Sequence, residues 1–369
     1  MGSTRSKWSS RDKLPSTLGA NEPKRSHPIK VPLLVVLSTA LALISASPVE
    51  GRVHAVIWNP GTGVTDLGAL AQGEDSMALG INDSGQVVGT AGLRDGSTHG
   101  FIWTEETGMV DIGTPGGTLC IPSAINASGA VAGHGTLANG EYLAFYWTSS
   151  GGFITFPESE YSAYGFGIND SDSIAGYRFI GADSEGYIWK PKKGKLRKIG
   201  FLPQGDRSKA VDINNLGHVA GYGHLTNQME HIFLWTKSDG ITDLGTPEGV
   251  FAAVATEMND SDEIVGHYAI GPGDLQAFHW SSATGYRRLE KLNSDSPAYA
   301  LGINNLGQIV GFSSIGGLTR FQAVLWNDSL SAPLPLDTLP AGSFSQAWKI
   351  NNLGQVVGWS DLNGAESAE

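Results

Sequence analysis

Three charged residues occupy a sequence position that otherwise carries small side chains. A ten-residue phrase, GINDSGQVVG at 80–89 and GINNLGQIVG at 302–311, recurs along the chain around an Asn. The residue two places before that Asn is Gly80, Ala124, Gly167 or Gly302 in four copies, and Asp212, Glu257 or Lys349 in three. If the repeats surround a common axis, these three charges meet there and form a site for a polar ligand.

A second candidate site is the basic segment KPKKGKLRK at 190–198, in a protein whose formal net charge is −12. A solvated hairpin tip is the simpler interpretation. The alternative is contact of Lys190, Lys192 and Lys193 with an anionic glycan or a lipid head group. Residues 1–46 contribute +5 to the net charge, which leaves −17 on the remainder. So acidic a body excludes nucleic acid as a partner.

Signatures of catalysis are absent from the sequence. It contains no G-x-S-x-G, H-E-x-x-H, C-x-x-C or phosphate-binding glycine loop. The acidic segments NDSDS (169–173) and NDSDE (259–263) could suggest calcium, but hairpin tips explain them. For His54, His99 and His231, hydrogen bonds to backbone are favoured over metal ligation. We therefore predict no catalytic residue, no metal and no cofactor. Carboxylates converging from different repeats would still permit glycoside chemistry.

Two residue types mark a repeat with a period of 43 to 47 residues. Such a period indicates a repeat architecture. The aromatic series suggests either sugar-stacking platforms or core packing, and recurrence inside apolar strands favours the core. The two series are Asn82, Asn126, Asn169, Asn214, Asn259, Asn304 and Asn351, and Trp58, Trp103, Trp147, Trp189, Trp235, Trp280 and Trp326.

The residues around each Asn predict a β-hairpin. In AYGFGIN, bulky Tyr164, Phe166 and Ile168 alternate with small residues, which is the spacing of a strand. A short turn follows, closed by Gly in the left-handed region. Asp172 and Asp262 replace that Gly in two copies, and Asp tolerates the same conformation.

Four short strands fit within each period, as in one blade of a β-propeller. The region after residue 46 begins with a Trp strand and its partner, HAVIW and VTDLG, and finishes with an Asn hairpin, QAWKINNLGQVVGW. These fragments complement each other. We therefore predict an all-β, seven-bladed propeller of four-stranded antiparallel blades, closed by pairing of the N- and C-terminal segments. A β-solenoid is the alternative.

The motifs HAVIWNPGTGVTDLGAL, HGFIWTEETGMVDIGTPGG and HIFLWTKSDGITDLGTPEG resemble those of the HAF-repeat family of bacterial extracellular proteins. The resemblance covers residues 51–360. The repeat around Trp189 departs from it by lacking both the His and the Asp, and the repeat around Trp326 ends in PLDTLP. The resemblance implies export and supplies no catalytic residues.

The first 46 residues predict an export signal with a long basic region before its apolar run, cleaved after Ala46. An uncleaved N-terminal membrane anchor is the alternative. Residues 47–361 are then the propeller and 362–369 a short tail. We expect a monomer without a membrane span in the mature form, located outside the cell or in the periplasm. Its function is non-catalytic binding of a glycan or protein; a propeller-type glycoside hydrolase or polysaccharide lyase is the alternative.

Overall fold

The computed structural model of the protein describes residues 52–71, 73–157, 162–226, 229–247, 249–271, 274–294, 296–316 and 320–362. The predicted export segment lies outside the described residues, as does the predicted tail beyond Leu362. Strands account for almost all regular structure in the described ranges. The described ranges contain one single-turn 3-10 helix, Pro191–Lys193, and no α-helix.

The described strands, numbered in chain order, are β1 (Val53–Asn59), β2 (Gly63–Gly68), β3 (Gly73–Ile81), β4 (Val87–Leu93), β5 (Thr98–Thr104), β6 (Gly108–Gly113), β7 (Cys120–Ile125), β8 (Val131–Thr136), β9 (Tyr142–Thr148), β10 (Gly152–Thr155), β11 (Ala163–Ile168), β12 (Ile174–Ile180), β13 (Asp183–Lys190) and β14 (Lys195–Lys198). They continue with β15 (Gly205–Ile213), β16 (Val219–Leu225), β17 (Glu230–Thr236), β18 (Gly240–Gly245), β19 (Ala253–Met258), β20 (Ile264–Gly271), β21 (Asp274–Ser281), β22 (Gly285–Arg288), β23 (Ala298–Ile303), β24 (Ile309–Gly316), β25 (Arg320–Trp326), β26 (Leu334–Pro335), β27 (Ser345–Ile350) and β28 (Val356–Asp361).

These strands form seven four-stranded antiparallel sheets, which confirms the predicted propeller. Blades 1 to 6 each use four consecutive strands, beginning with β3, β7, β11, β15, β19 and β23. The first strand of every blade contacts the first strand of the next, around a complete circuit. The first strands therefore surround the central axis.

Blade 7 is assembled from both ends of the described chain, as predicted. Its strand order is β2-β1-β28-β27, and β1 pairs with β28 in continuous antiparallel register from Val53↔Asp361 to Trp58↔Val356. The last hairpin thus supplies the two inner strands and the first hairpin the two outer ones. This pairing closes the ring without an open sheet edge between first and last blades.

The hairpin prediction holds at the turns, but the strand alternation is interrupted. Asp172 and Asp262 have φ angles of 55° and 60°, which confirms that they take the left-handed conformation. In β11, the pairing skips Phe166, which is the extra residue of a β-bulge between Gly165 and Gly167. Equivalent shifts occur in the first strands of the other six blades. The sequence keeps its alternation of bulky and small residues through the bulge, so periodicity alone does not reveal the extra residue.

The repeated Asn residues form a closed ring of hydrogen bonds between blades. Each buried Asn donates from Nδ2 to the backbone carbonyl of the Asn in the next blade, over 2.9 to 3.2 Å, and the Asn351 amide completes the circuit at Asn82. Each Oδ1 accepts backbone N–H groups of its own turn, as for Asn214 with Leu216 and His218. The end of the ring that carries these seven turns is called the Asn-turn face below.

The repeated Trp residues lie in the packing between blades. The described residues form seven hydrophobic clusters, and each contains one of the seven Trp side chains. Trp189 and Trp326 are almost fully buried, whereas Trp103, Trp147 and Trp280 are partly exposed at the edges of their clusters. Their positions contribute apolar area to the interblade core.

Candidate functional site

The structure brings Asp212, Glu257 and Lys349 together; we call them the charge triad. They come from the first strands of blades 4, 5 and 7. Lys349 Nζ lies 2.5 Å from Glu257 Oε1, and the pair passes beside Gly302 of blade 6. Glu257 Oε2 accepts the Ile303 N–H at 2.9 Å. The predicted convergence of these charges near the axis is therefore a feature of the structure.

The carboxylates of the charge triad are already occupied by protein donors. Asp212 accepts the N–H of Ile213 at 2.8 Å on Oδ1 and that of Met258 at 3.0 Å on Oδ2. Burial raises the pKa of Glu257 to about 7; Lys349 opposes this shift and Asp212 adds to it. Burial alone would lower the pKa of Lys349, but the two carboxylates outweigh burial and raise it. Each of the four carboxylate oxygens thus has a protein donor, and Asp212 Oδ2 and Glu257 Oε2 accept from the neighbouring blade.

The basic hairpin (190–198) also lies at the Asn-turn face. Lys192 Nζ is 2.8 Å from Asp172 Oδ2, in the Asn turn of the same blade, and its pKa is raised by hydrogen bonds to Asp172 and Tyr146. Within the described ranges, Lys190 and Lys193 have no carboxylate within 4.0 Å. The basic hairpin therefore lies at the same end of the ring as the charge triad. One of its three candidate lysines, Lys192, is paired with a carboxylate.

The acidic turns contribute to contacts between blades. Asp172 accepts from Asn126 Nδ2 at 3.1 Å, and Asp262 accepts from Asn214 Nδ2 at 2.8 Å. Asp262 also contacts His218 Nδ1 at 2.9 Å. No group of three or more His, Cys, Asp or Glu side chains in the described residues could hold a metal ion.

The prediction that the repeated His residues bond to backbone is wrong. His54, His99 and His231 each place Nδ1 within about 3 Å of an Asp twelve residues later, across the two outer strands of the blade. The same Asp accepts a backbone N–H two residues on, as Asp111 does from Gly113 at 2.7 Å. The repeat around Trp189 lacks both the His and the Asp. Their joint absence is what we expect if the two residues act as a pair.

The opposite face carries a set of partly exposed aromatic rings that the sequence analysis did not single out. The first strands run toward their Asn turns, so the beginnings of β9 and β11 and the end of β12 lie at this face. The rings stack at centroid distances of 5.4 Å for Tyr164 with Tyr177, 5.4 Å for Phe166 with Tyr177 and 5.8 Å for Tyr142 with Tyr164. The aromatic cluster comprises His134, Tyr142, Tyr164, Phe166, Tyr177 and Phe179.

Lys209 extends the aromatic cluster into blade 4. Its Nζ lies 5.0 Å from the Tyr177 ring centroid and 5.5 Å from that of Tyr222, a cation–π arrangement. Lys209 is 7% exposed and has no described carboxylate within 4.0 Å. Burial lowers its pKa to about 8, with Glu230 opposing the shift and Arg207 adding to it. The site therefore combines partly exposed rings with a buried amine whose pKa is lowered to about 8.

A sequence signal for this region exists in the residue that follows the repeated Gly of each second strand. One of these seven residues is Thr90, and the other six are aromatic or His: His134, Tyr177, Tyr222, His267, Phe312 and Trp359. The Gly itself is required by the close approach of the first strand, because a Cβ at Gly176 would collide with the Tyr164 carbonyl oxygen of β11. Burial lowers the pKa of both His134 and His267 to about 4, so these rings are neutral at pH 7.

Comparison with known proteins supports the fold and no narrower assignment. No family model matches the chain, and no curated protein matches it significantly in sequence. Among solved structures, a catalytically inactive virginiamycin B lyase from Staphylococcus aureus with Quinupristin is 12% identical over 84% of this chain and 99% of its own, with a TM-score of 0.53. A streptogramin B lyase is 9% identical over 84% and 97%, with a TM-score of 0.52. A prolyl endopeptidase is 12% identical over 74% of this chain and 44% of its own, also with a TM-score of 0.52.

Proposed function

We propose that the protein is an exported binding propeller whose ligand, a glycan, docks on the aromatic cluster. The observation that carries this proposal is the group of partly exposed, mutually stacked rings at one end of the ring, next to Lys209. Tyr rings offer apolar faces and hydroxyl groups together, which suits the mixed surface of a sugar. Export rests on the N-terminal sequence and on the resemblance to HAF-repeat proteins.

The contrast between the two faces supports docking at the aromatic end. At the Asn-turn face, the buried Asn side chains bond to one another around the ring, and the carboxylates of the charge triad are occupied by protein donors. At the aromatic end, Lys209 is balanced by rings rather than by a bonded carboxylate. The described part of the chain contains no helix with the length and apolarity that a membrane crossing requires.

A hydrolase or lyase acting on a polysaccharide is the second candidate, and Glu230 is the observation that favours it. Glu230 begins β17 at the aromatic end and is 6% exposed, and burial raises its pKa, against the charges of Lys209 and His224. A carboxyl of raised pKa near a lysine of lowered pKa is the type of pair that supports acid–base chemistry.

The test is a screen of the purified protein against immobilised and soluble saccharides, followed by turnover assays on every ligand found. We expect binding without product release, and at least tenfold weaker binding by Tyr164→Ala. Leu306→Ala, which alters an exposed side chain in an Asn turn, is the matched control and should bind normally. Product release that is lost in Glu230→Gln would favour the enzyme instead. Binding unaffected by Tyr164→Ala would refute the proposed location.

A further inference from the structure

A cleft of about 300 Å³ lies apart from the aromatic cluster, between blades 4 and 5. Its lining residues are Pro247, in the link that leaves β18, Tyr268 of β20, and Tyr286, Arg287 and Arg288 of β22. The Tyr286 hydroxyl donates to the Gly245 carbonyl oxygen at 2.9 Å, which fixes the outer strand of blade 5 against blade 4. The cleft therefore has one wall from each blade. We call it the blade-5 cleft.

Arg288 brings an uncompensated positive charge to this cleft. Tyr286 and Arg288 are two residues apart in a strand, so their side chains share a face, whereas Arg287 is in register with His279 and points to the other face. No described Asp or Glu lies within 4.0 Å of either arginine. The nearby Asp274 carboxylate is engaged by Lys291 at 2.7 Å. The Arg288 side chain is exposed and therefore accessible to a ligand.

Tyr268 provides a second polar group beside Arg288. The residue is 1% exposed, and burial raises the pKa of its hydroxyl; the charge of Arg288 and a hydrogen bond to the Arg288 side chain oppose that shift. No described group other than Arg288 bonds to this hydroxyl. Tyr268 and Arg288 therefore form a polar pair in the wall of the cleft, where both can contact the same ligand oxygen.

The chemistry of the lining identifies the class of ligand. A guanidinium presents parallel donors that match a carboxylate, and a tyrosine hydroxyl adds a further donor. The rings of Pro247, Tyr268 and Tyr286 supply apolar area for a sugar ring. The volume is at the lower end of the range of roughly 300–1,000 Å³ for small-molecule sites, which suits a single acidic ring. We propose that the blade-5 cleft binds the carboxylate-bearing ring of an acidic saccharide, with Arg288 as its ion partner and Tyr268 as its hydroxyl partner.

The experiment is calorimetric titration of the purified protein with oligogalacturonate. The fully methyl-esterified oligomer has the same ring and no charge, and inorganic phosphate serves as an anion without a ring. Arg288→Met should weaken oligogalacturonate binding about tenfold to a hundredfold, the effect of one charge-assisted contact. Tyr268→Phe should weaken it less. Lys237→Met removes the same charge from an exposed lysine in the turn between β17 and β18 and should have no effect.

The outcomes separate this site from the aromatic cluster. Binding retained in Tyr164→Ala and lost in Arg288→Met supports the blade-5 cleft, whatever the aromatic cluster binds. Absence of oligogalacturonate binding, or an equal loss in Lys237→Met, overturns the proposal. Equal affinity for phosphate or for the methyl ester overturns the assignment to an acidic sugar.

Discussion

Replacement of Asn351 by Ala tests whether the Asn ring holds the propeller closed. The Asn351 side chain makes four hydrogen bonds: Nδ2 donates to Asn82 O at 3.1 Å and to Gln355 Oε1 at 2.8 Å, and Oδ1 accepts from Leu353 N at 3.1 Å and Gln355 N at 2.9 Å. The bond to Asn82 joins the last hairpin to the first blade. Each bond contributes about 0.5–1.5 kcal/mol, and an unsatisfied buried partner costs about 1–3 kcal/mol. We therefore expect a loss of about 3–5 kcal/mol in the free energy of unfolding.

The matched control for this variant is the neighbouring residue. Asn352 is partly exposed, and its side chain makes two bonds, from Nδ2 to Asp83 and from the Asn305 N–H to Oδ1, both at 2.9 Å, so Asn352→Ala should cost about 1–2 kcal/mol, less than Asn351→Ala. Urea denaturation followed by tryptophan fluorescence measures both variants, and an unchanged dependence on urea shows that the native state is intact. If Asn351→Ala costs no more than Asn352→Ala, the ring of hydrogen bonds does not stabilise the closure.

Three further predictions concern the blades. Gly302→Ala should cost about 1–3 kcal/mol in urea denaturation, because its Cβ would lie 3.0 Å from the Trp348 carbonyl oxygen; Gly92→Ala, whose Cβ would have no neighbour within 4 Å, is the neutral control. Glu257 has a pKa of about 7 in the folded protein and 4.5 ordinarily, so its contribution to the free energy of unfolding falls as pH rises between these values. Glu257→Gln should remove this contribution to the pH dependence, measured by urea denaturation at several pH values. An unchanged pH dependence would contradict the assignment. Asp111→Ala should lower the free energy of unfolding by at most about 1 kcal/mol in the same assay, because the His99–Asp111 pair is partly exposed. A loss above about 2 kcal/mol would show that the pair has a larger role.

The architecture could be predicted from the sequence because its signals are local and repeated. The Asn turns, the Trp strands and the two complementary ends together determine the number of blades and the manner of closure. Asp172 and Asp262 could be placed in the left-handed region because few residue types tolerate it. In contrast, the destination of each Asn amide is a carbonyl in the next blade, about 45 residues away, and no pattern within one turn reveals it.

The candidate sites were only partly accessible from the sequence. The convergence of Asp212, Glu257 and Lys349 follows from their shared position in the repeat, and the structure does bring them together. Two of their carboxylate oxygens accept from backbone N–H groups in the next blade, which the sequence does not show. The aromatic cluster was missed because its rings differ in type from blade to blade. The blade-5 cleft depends on Pro247 and Arg288 from different blades, which no spacing rule connects.

Hydrogen exchange measured during titration with a saccharide ligand tests most directly which end of the propeller binds. Mass spectrometry of the proteolysed protein resolves β11, β12 and β15 from the Asn turns and from the basic hairpin. We expect slower exchange in residues 163–168, 174–180 and 205–213, with no change in the seven Asn turns. Protection confined to the Asn turns or to residues 190–198 would contradict binding at the aromatic cluster.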